Sequence, residues 1–68
     1  MVKLYMVESG KGPKGDYRRR YSLASEAQAW LYYTGINIGN GYKKRLRLLE
    51  RDLETGESKI TLLARAFS

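Results

Sequence analysis

Apolar and polar residues alternate from the second position. Val2, Leu4 and Met6 fall on one side of an extended chain and Lys3, Tyr5 and Val7 on the other, which predicts a strand over 2–8. The even set is assigned to the core, leaving Lys3 and Tyr5 outside. The stretch SGKGPKGD over 9–16 holds three glycines and the only proline, so it reads as a flexible connection longer than a tight hairpin. YRRRYSL over 17–23 reads as a second strand paired with the first.

The period then changes. Ser25 with Gln28 three residues on matches a capping box, and Glu26 lies in the first turn where the helix dipole favours a negative charge. Ala27, Trp30, Leu31 and Thr34 recur at helical spacing and form the expected buried stripe. Gly35 is expected to end the helix in a left-handed conformation, with Ile36 packing back on it. A helix of about ten residues is too short to stand alone in water, so it must lie on a sheet.

Asn40-Gly41 signals a turn into a third strand from about Tyr42 to Arg51, and DLETGES returns the chain into a fourth, about Lys59 to Phe67. The hydrophobic pattern favours a three-residue loop, Glu54-Thr55-Gly56, with Gly56 left-handed. Leu48 then faces Leu62, Leu46 faces Ala64 and Glu50 faces Ile60, whereas a shift of one would scatter the apolar set over both faces. The expected fold is α+β, in the order β-β-α-β-β: an antiparallel four-stranded sheet with one helix on one face, in one small domain spanning 1–68. Any free sheet edge would allow a homodimer.

This register sorts the charge. Lys43, Arg45 and Arg47 share the face away from the helix with Lys59 and Arg65, joined by Arg18, Arg20 and Lys3 if Tyr21 and Leu23 face the core. Same-face residues repeat every ~6.8 Å along a strand and neighbouring strands lie ~4.8 Å apart, so these cations make one array. Arg45 is set directly opposite Arg65, where an acid would stabilise the pair. Two such charges ~5 Å apart cost ~0.8 kcal/mol in water, a strain that a small fold tolerates. The chain has 13 Lys and Arg against 7 Asp and Glu, net +6, and residues 17–47 carry the whole excess. Arg19 and Lys44 do not fit the pattern: they fall on the core side. Lys44 near a strand start reaches water, and Arg19 requires an edge strand or a bulge.

Chemistry narrows the field further. Without Cys or His there is no thiol, imidazole or triad catalysis and no zinc set. The acids Glu50, Asp52, Glu54 and Glu57 cluster at a turn without the spacing of a calcium loop, so no metal, no cofactor, no catalytic residue and no enzyme are expected. GKGPKG lacks the phosphate-loop pattern GxxxxGK[ST]. No apolar stretch approaches the ~20 residues of a membrane span, and the chain reads as a cytoplasmic protein with no membrane partner.

The leading expectation is a small basic nucleic-acid-binding protein that lays its sheet face on the phosphate backbone of DNA or RNA. Arg18, Arg20, Lys43, Arg45, Arg47 and Arg65 supply most of the affinity, with Lys59 beside them and Lys11 and Lys14 closing from the glycine loop. Tyr5 and Phe67 share that face; filling the sheet edge is the first role expected of both, and stacking on bases the second. The alternative is a protein-interaction module, an accessory or inhibitor of the size viruses encode, that docks the same face on an acidic partner protein through Tyr5, Tyr32 or Tyr33. The simplest reading is a face kept basic for solubility alone.

Overall fold

A computed structural model describes residues 1–68. It contains β1 (Val2–Lys11), β2 (Tyr17–Leu23), α1 (Glu26–Gly35), β3 (Tyr42–Arg51) and β4 (Ser58–Phe67), in the expected α+β arrangement. All strand pairs are antiparallel and the order across the sheet is β2-β1-β3-β4, with β2 and β4 as edges. β1 runs three residues further than its alternation suggested, which shortens the connection to Gly12–Asp16.

The helix starts as its capping residues require: Ser25 Oγ accepts from the Gln28 N–H at 3.3 Å. Its buried side is rotated from the expected one. Ala29 and Tyr33 are buried and Ile36 packs against the same cluster, whereas Trp30 is 36% and Leu31 70% exposed. The side chain of Ala29 is small enough to sit directly on Val7 and Leu46, all three fully enclosed, whereas the bulk of Trp30 is tolerated only beside Tyr33, which it meets edge-on at 5.8 Å. Gly35 is not left-handed. The helix ends because Ile36 turns extended, its N–H still donating to the Tyr32 and Tyr33 carbonyls. Lys44 then closes the end: its Nζ donates to the carbonyls of Tyr33 and Ile36 at 2.8 and 3.1 Å, a cation at the negative end of the helix dipole. Its core-side position is thereby explained. Arg19 is exposed on the edge strand β2.

Two bulges set which residues share a face. In β2 the pairing with β1 slips between Ser9 and Gly10, which makes Arg18 the extra residue and returns Tyr17 opposite Gly10. In β4 the slip lies between Leu46 and Arg47, making Leu63 the extra residue. From Lys43 to Leu46 the pairing is the expected one, with Arg45 opposite Arg65 and Leu46 opposite Ala64. Beyond the bulge it is displaced by one: Leu48 faces Thr61 rather than Leu62, and Glu50 faces Lys59 rather than Ile60. The loop has four residues, closed by the Asp52 N–H on Glu57 O at 2.9 Å, with the Asp52 carboxylate accepting from the Glu54 N–H at 2.9 Å. Gly56 is left-handed as expected, φ 77°.

β1 faces the opposite way from the expected one. Tyr5 and Val7 pack under the helix with Leu46, Leu48, Leu23 and Ala64, so Met6 and Glu8 belong to the open face. The core is small, and the helix rests on β1, β3 and β2.

Candidate nucleic-acid interface

Residues paired across adjacent strands share a face, so the open face can be read as rows across the sheet. At one end lie Tyr17, Gly10, Lys43 and Phe67; next come Arg20, Glu8, Arg45 and Arg65; then Ser22, Met6, Arg47 and Leu62. Beyond these the face turns apolar, with Leu4, Leu49 and Ile60 in one row. One end is densely cationic; the other is largely hydrocarbon and closes in a row of Val2, Arg51 and Ser58.

Glu8 organises the cationic end. Its side chain is 1% exposed and three guanidiniums converge on it. Arg45 Nε donates to Oε1 at 2.9 Å, Arg47 Nε to Oε1 at 2.6 Å, and Arg20 Nη2 to Oε2 at 3.0 Å. Burial pushes the carboxyl up, but hydrogen bonds from Arg45, Arg47 and Arg20 outweigh it and hold the group at about 2, below its ordinary 4.5. All three arginines use their Nε and Nη2 atoms on Glu8. One carboxylate balances one of three charges, so the cluster keeps a surplus of positive charge and the Nη1 donors of three fixed guanidiniums. Arg65, two strands away from Glu8, is exposed and makes no ion pair.

The outer row holds an aromatic that the pattern did not single out. The Tyr17 ring lies under Arg45, whose Cζ is 3.7 Å from its centroid, and under the Lys43 Nζ at 4.5 Å. Gly10, between Tyr17 and Lys43 in the row, leaves room for this, and a Cβ on Gly10 would meet Asp16 O at 2.3 Å. Lys43 is buried, and its Nζ donates to the Gly15 carbonyl, tying the glycine loop down. Gly12 N–H donates to Gly41 O at 2.6 Å from the same loop.

Of the expected contact residues, the fold brings Arg20, Lys43, Arg45, Arg47, Arg65 and Phe67 together on the open face. The others lie elsewhere. Arg18 sits at the bulge and lines a groove with Arg19 and Ile36. Lys59 pairs with Glu50 on the helix side because the Leu63 bulge reverses the lower half of β4. Lys11 ends β1 opposite Tyr42, and Lys14 is exposed in the loop. Tyr5 is in the core, its hydroxyl donating to Glu26 Oε1 at 3.1 Å, and Tyr33 is 8% exposed beside it. Tyr32 is exposed on the helix, edge-on to Tyr21 and away from the cations. Lys3, opposite Glu50, is also on the helix side.

No group of carboxylates converges in a way that would hold a metal ion, and no helix is long and apolar enough to cross a membrane. No protein-family model, curated protein or solved structure matches the chain.

Proposed function

We propose that this protein binds nucleic acid without catalysis, laying the cationic end of its open sheet face on the phosphate backbone. The observation that carries the reading is the Arg20-Glu8-Arg45-Arg65 row with Lys43 and Arg47 on either side: five cations against one carboxylate. Glu8 holds three of the guanidiniums in place, so less side-chain freedom is lost when a phosphate arrives. A merely soluble face has no need of such fixing. Phosphate contacts of this kind carry little sequence information.

Fluorescence anisotropy with a labelled 20-bp DNA duplex at several salt concentrations tests the reading. With four net charges engaged, log affinity falls against log salt with a slope near −3.6, by ~0.9 per phosphate. Substituting Arg65 by Gln flattens the slope by ~0.9, and substituting Lys59 leaves it unchanged. Affinity weaker than ~100 μM at low salt, below ordinary non-specific binding, overturns the proposal.

A second reading is favoured by the apolar end of the same face. Ile60 and Leu62 are 54% and 48% exposed beside the arginines, and the accessible surface of 4985 Å² exceeds the ~4,400 Å² usual for a monomer of this mass. An acidic partner protein would then be steered by the cations and anchored on these side chains. Copurification with nuclease treatment separates the two: a stoichiometric protein retained after nucleic acid is lost supports the second reading.

A further inference from the structure

Between the glycine loop and the end of β4 lies a shallow cleft of about 370 Å³, lined by Pro13, Tyr17, Lys43, Arg65, Ala66 and Phe67. Its two aromatic walls differ. The Tyr17 ring is occupied by Arg45 and Lys43. Phe67 is 57% exposed, and no cation or aromatic ring lies over it.

The backbone at Phe67 is nevertheless held firmly. Its cross-strand partner is Lys43, and the next residue is bound on three sides: Ser68 N–H donates to Tyr42 O at 2.9 Å, Gly41 N–H to Ser68 O at 2.6 Å, and Ser68 Oγ to Gly39 O at 3.0 Å. An exposed ring on an anchored stretch of backbone, beside an unpaired guanidinium, is well suited to a flat apolar ring carrying an anion. Arg65 stands one residue pair further along the same face.

We infer that this cleft is a nucleobase-stacking site, with Phe67 taking the face of an unpaired base and Arg65 its phosphate, so that the ligand is single-stranded nucleic acid. The inference rests on the nucleic-acid reading and narrows it. In a duplex the base faces are already stacked on one another, so Phe67 would have nothing to engage; in a single strand every base offers a free π-face. Lys43, its ammonium drawn toward the Gly15 carbonyl, closes the floor of the cleft. The remaining arginines then follow the backbone of the strand along the face.

The test uses three labelled ligands at one salt concentration: a 20-mer of dT, a 20-mer of the same length and charge in which every nucleotide lacks its base, and a 20-bp duplex. The wild-type chain binds the dT strand roughly 5- to 150-fold more tightly than the abasic strand, the range for one stacked base. Phe67→Ala removes this preference and leaves duplex binding unchanged, Phe67→Trp keeps it, and Arg65→Gln weakens all three ligands. Equal affinity of the wild type for dT and abasic strands overturns the stacking site while the backbone reading stands. A preference that survives Phe67→Ala does the same. Failure to bind any of the three overturns both.

Discussion

Replacing Glu8 by Gln keeps the shape of the side chain and removes its charge, which isolates what the three guanidiniums gain from it. The carboxyl is held at about 2 against an ordinary 4.5, and at ~1.4 kcal/mol per unit that difference corresponds to ~3 kcal/mol of stability. Arg20 is 55% exposed on its side chain, so solvent screens its share, leaving about 2 kcal/mol. The sign follows from the depressed value: the contribution is complete above the unfolded pKa and disappears as pH falls through the folded one. Urea denaturation followed by circular dichroism should therefore find Glu8→Gln less stable by about 2 kcal/mol at pH 7, with the gap closing between pH 5 and pH 2. Protonated Glu and Gln are near-isosteres, so any other carboxyl affects both proteins alike. A gap of constant size across that range, or none at pH 7, would show that Glu8 does not hold the arginines by its charge.

Two other substitutions test the surrounding framework. Gly10→Ala sets a Cβ 2.3 Å from the Asp16 carbonyl, a clash with backbone that should cost ~1–3 kcal/mol; a thermal midpoint unchanged within a degree would contradict the close approach. Lys44→Met keeps the alkyl stem but removes the ammonium from the Tyr33 and Ile36 carbonyls, which should cost about 0.5–1 kcal/mol in urea denaturation and speed amide exchange in the last helical turn. Exchange at the wild-type rate would deny Lys44 its capping role.

Much of the architecture was legible because the signals were local. The capping residues fixed the helix start, Asn40-Gly41 the turn, and Gly56 the left-handed residue of the last hairpin. The face of β1 was not. Val2, Leu4 and Met6 compete on equal terms with Tyr5 and Val7, and hydrophobicity alone cannot choose between them. A usable signal was present in Glu8, which shares parity with Leu4 and Met6: turned to the open face it meets three arginines, whereas the helix side beside it offers only Arg19 and Lys44. The bulges are harder, since each is an extra residue whose effect depends on long-range pairing. For β4 the pattern gave the correct register at the arginine end and a wrong one at the turn end, because Asp52 stabilises a loop one residue longer than the hydrophobic set required. The cationic site was thus readable in β3 and in Arg65, but Lys59 was misplaced. Tyr17 was invisible as a site residue because only the slip at Arg18 turns it to the open face; Tyr5 was drawn inward by the same parity that brought Glu8 out, and Tyr33 by the helix rotation that buries Ala29.

The extra residue at Leu63 lets one strand obey two opposite alternation rules. Above it Arg65 looks outward with the other arginines; below it Ile60 and Leu62 look outward and Lys59 does not. Deleting that residue would force a choice, moving either Arg65 or the two aliphatic side chains to the opposite side of the sheet. With it in place, substitutions at the hairpin end can alter the greasy half of the surface without rotating a single guanidinium at the other.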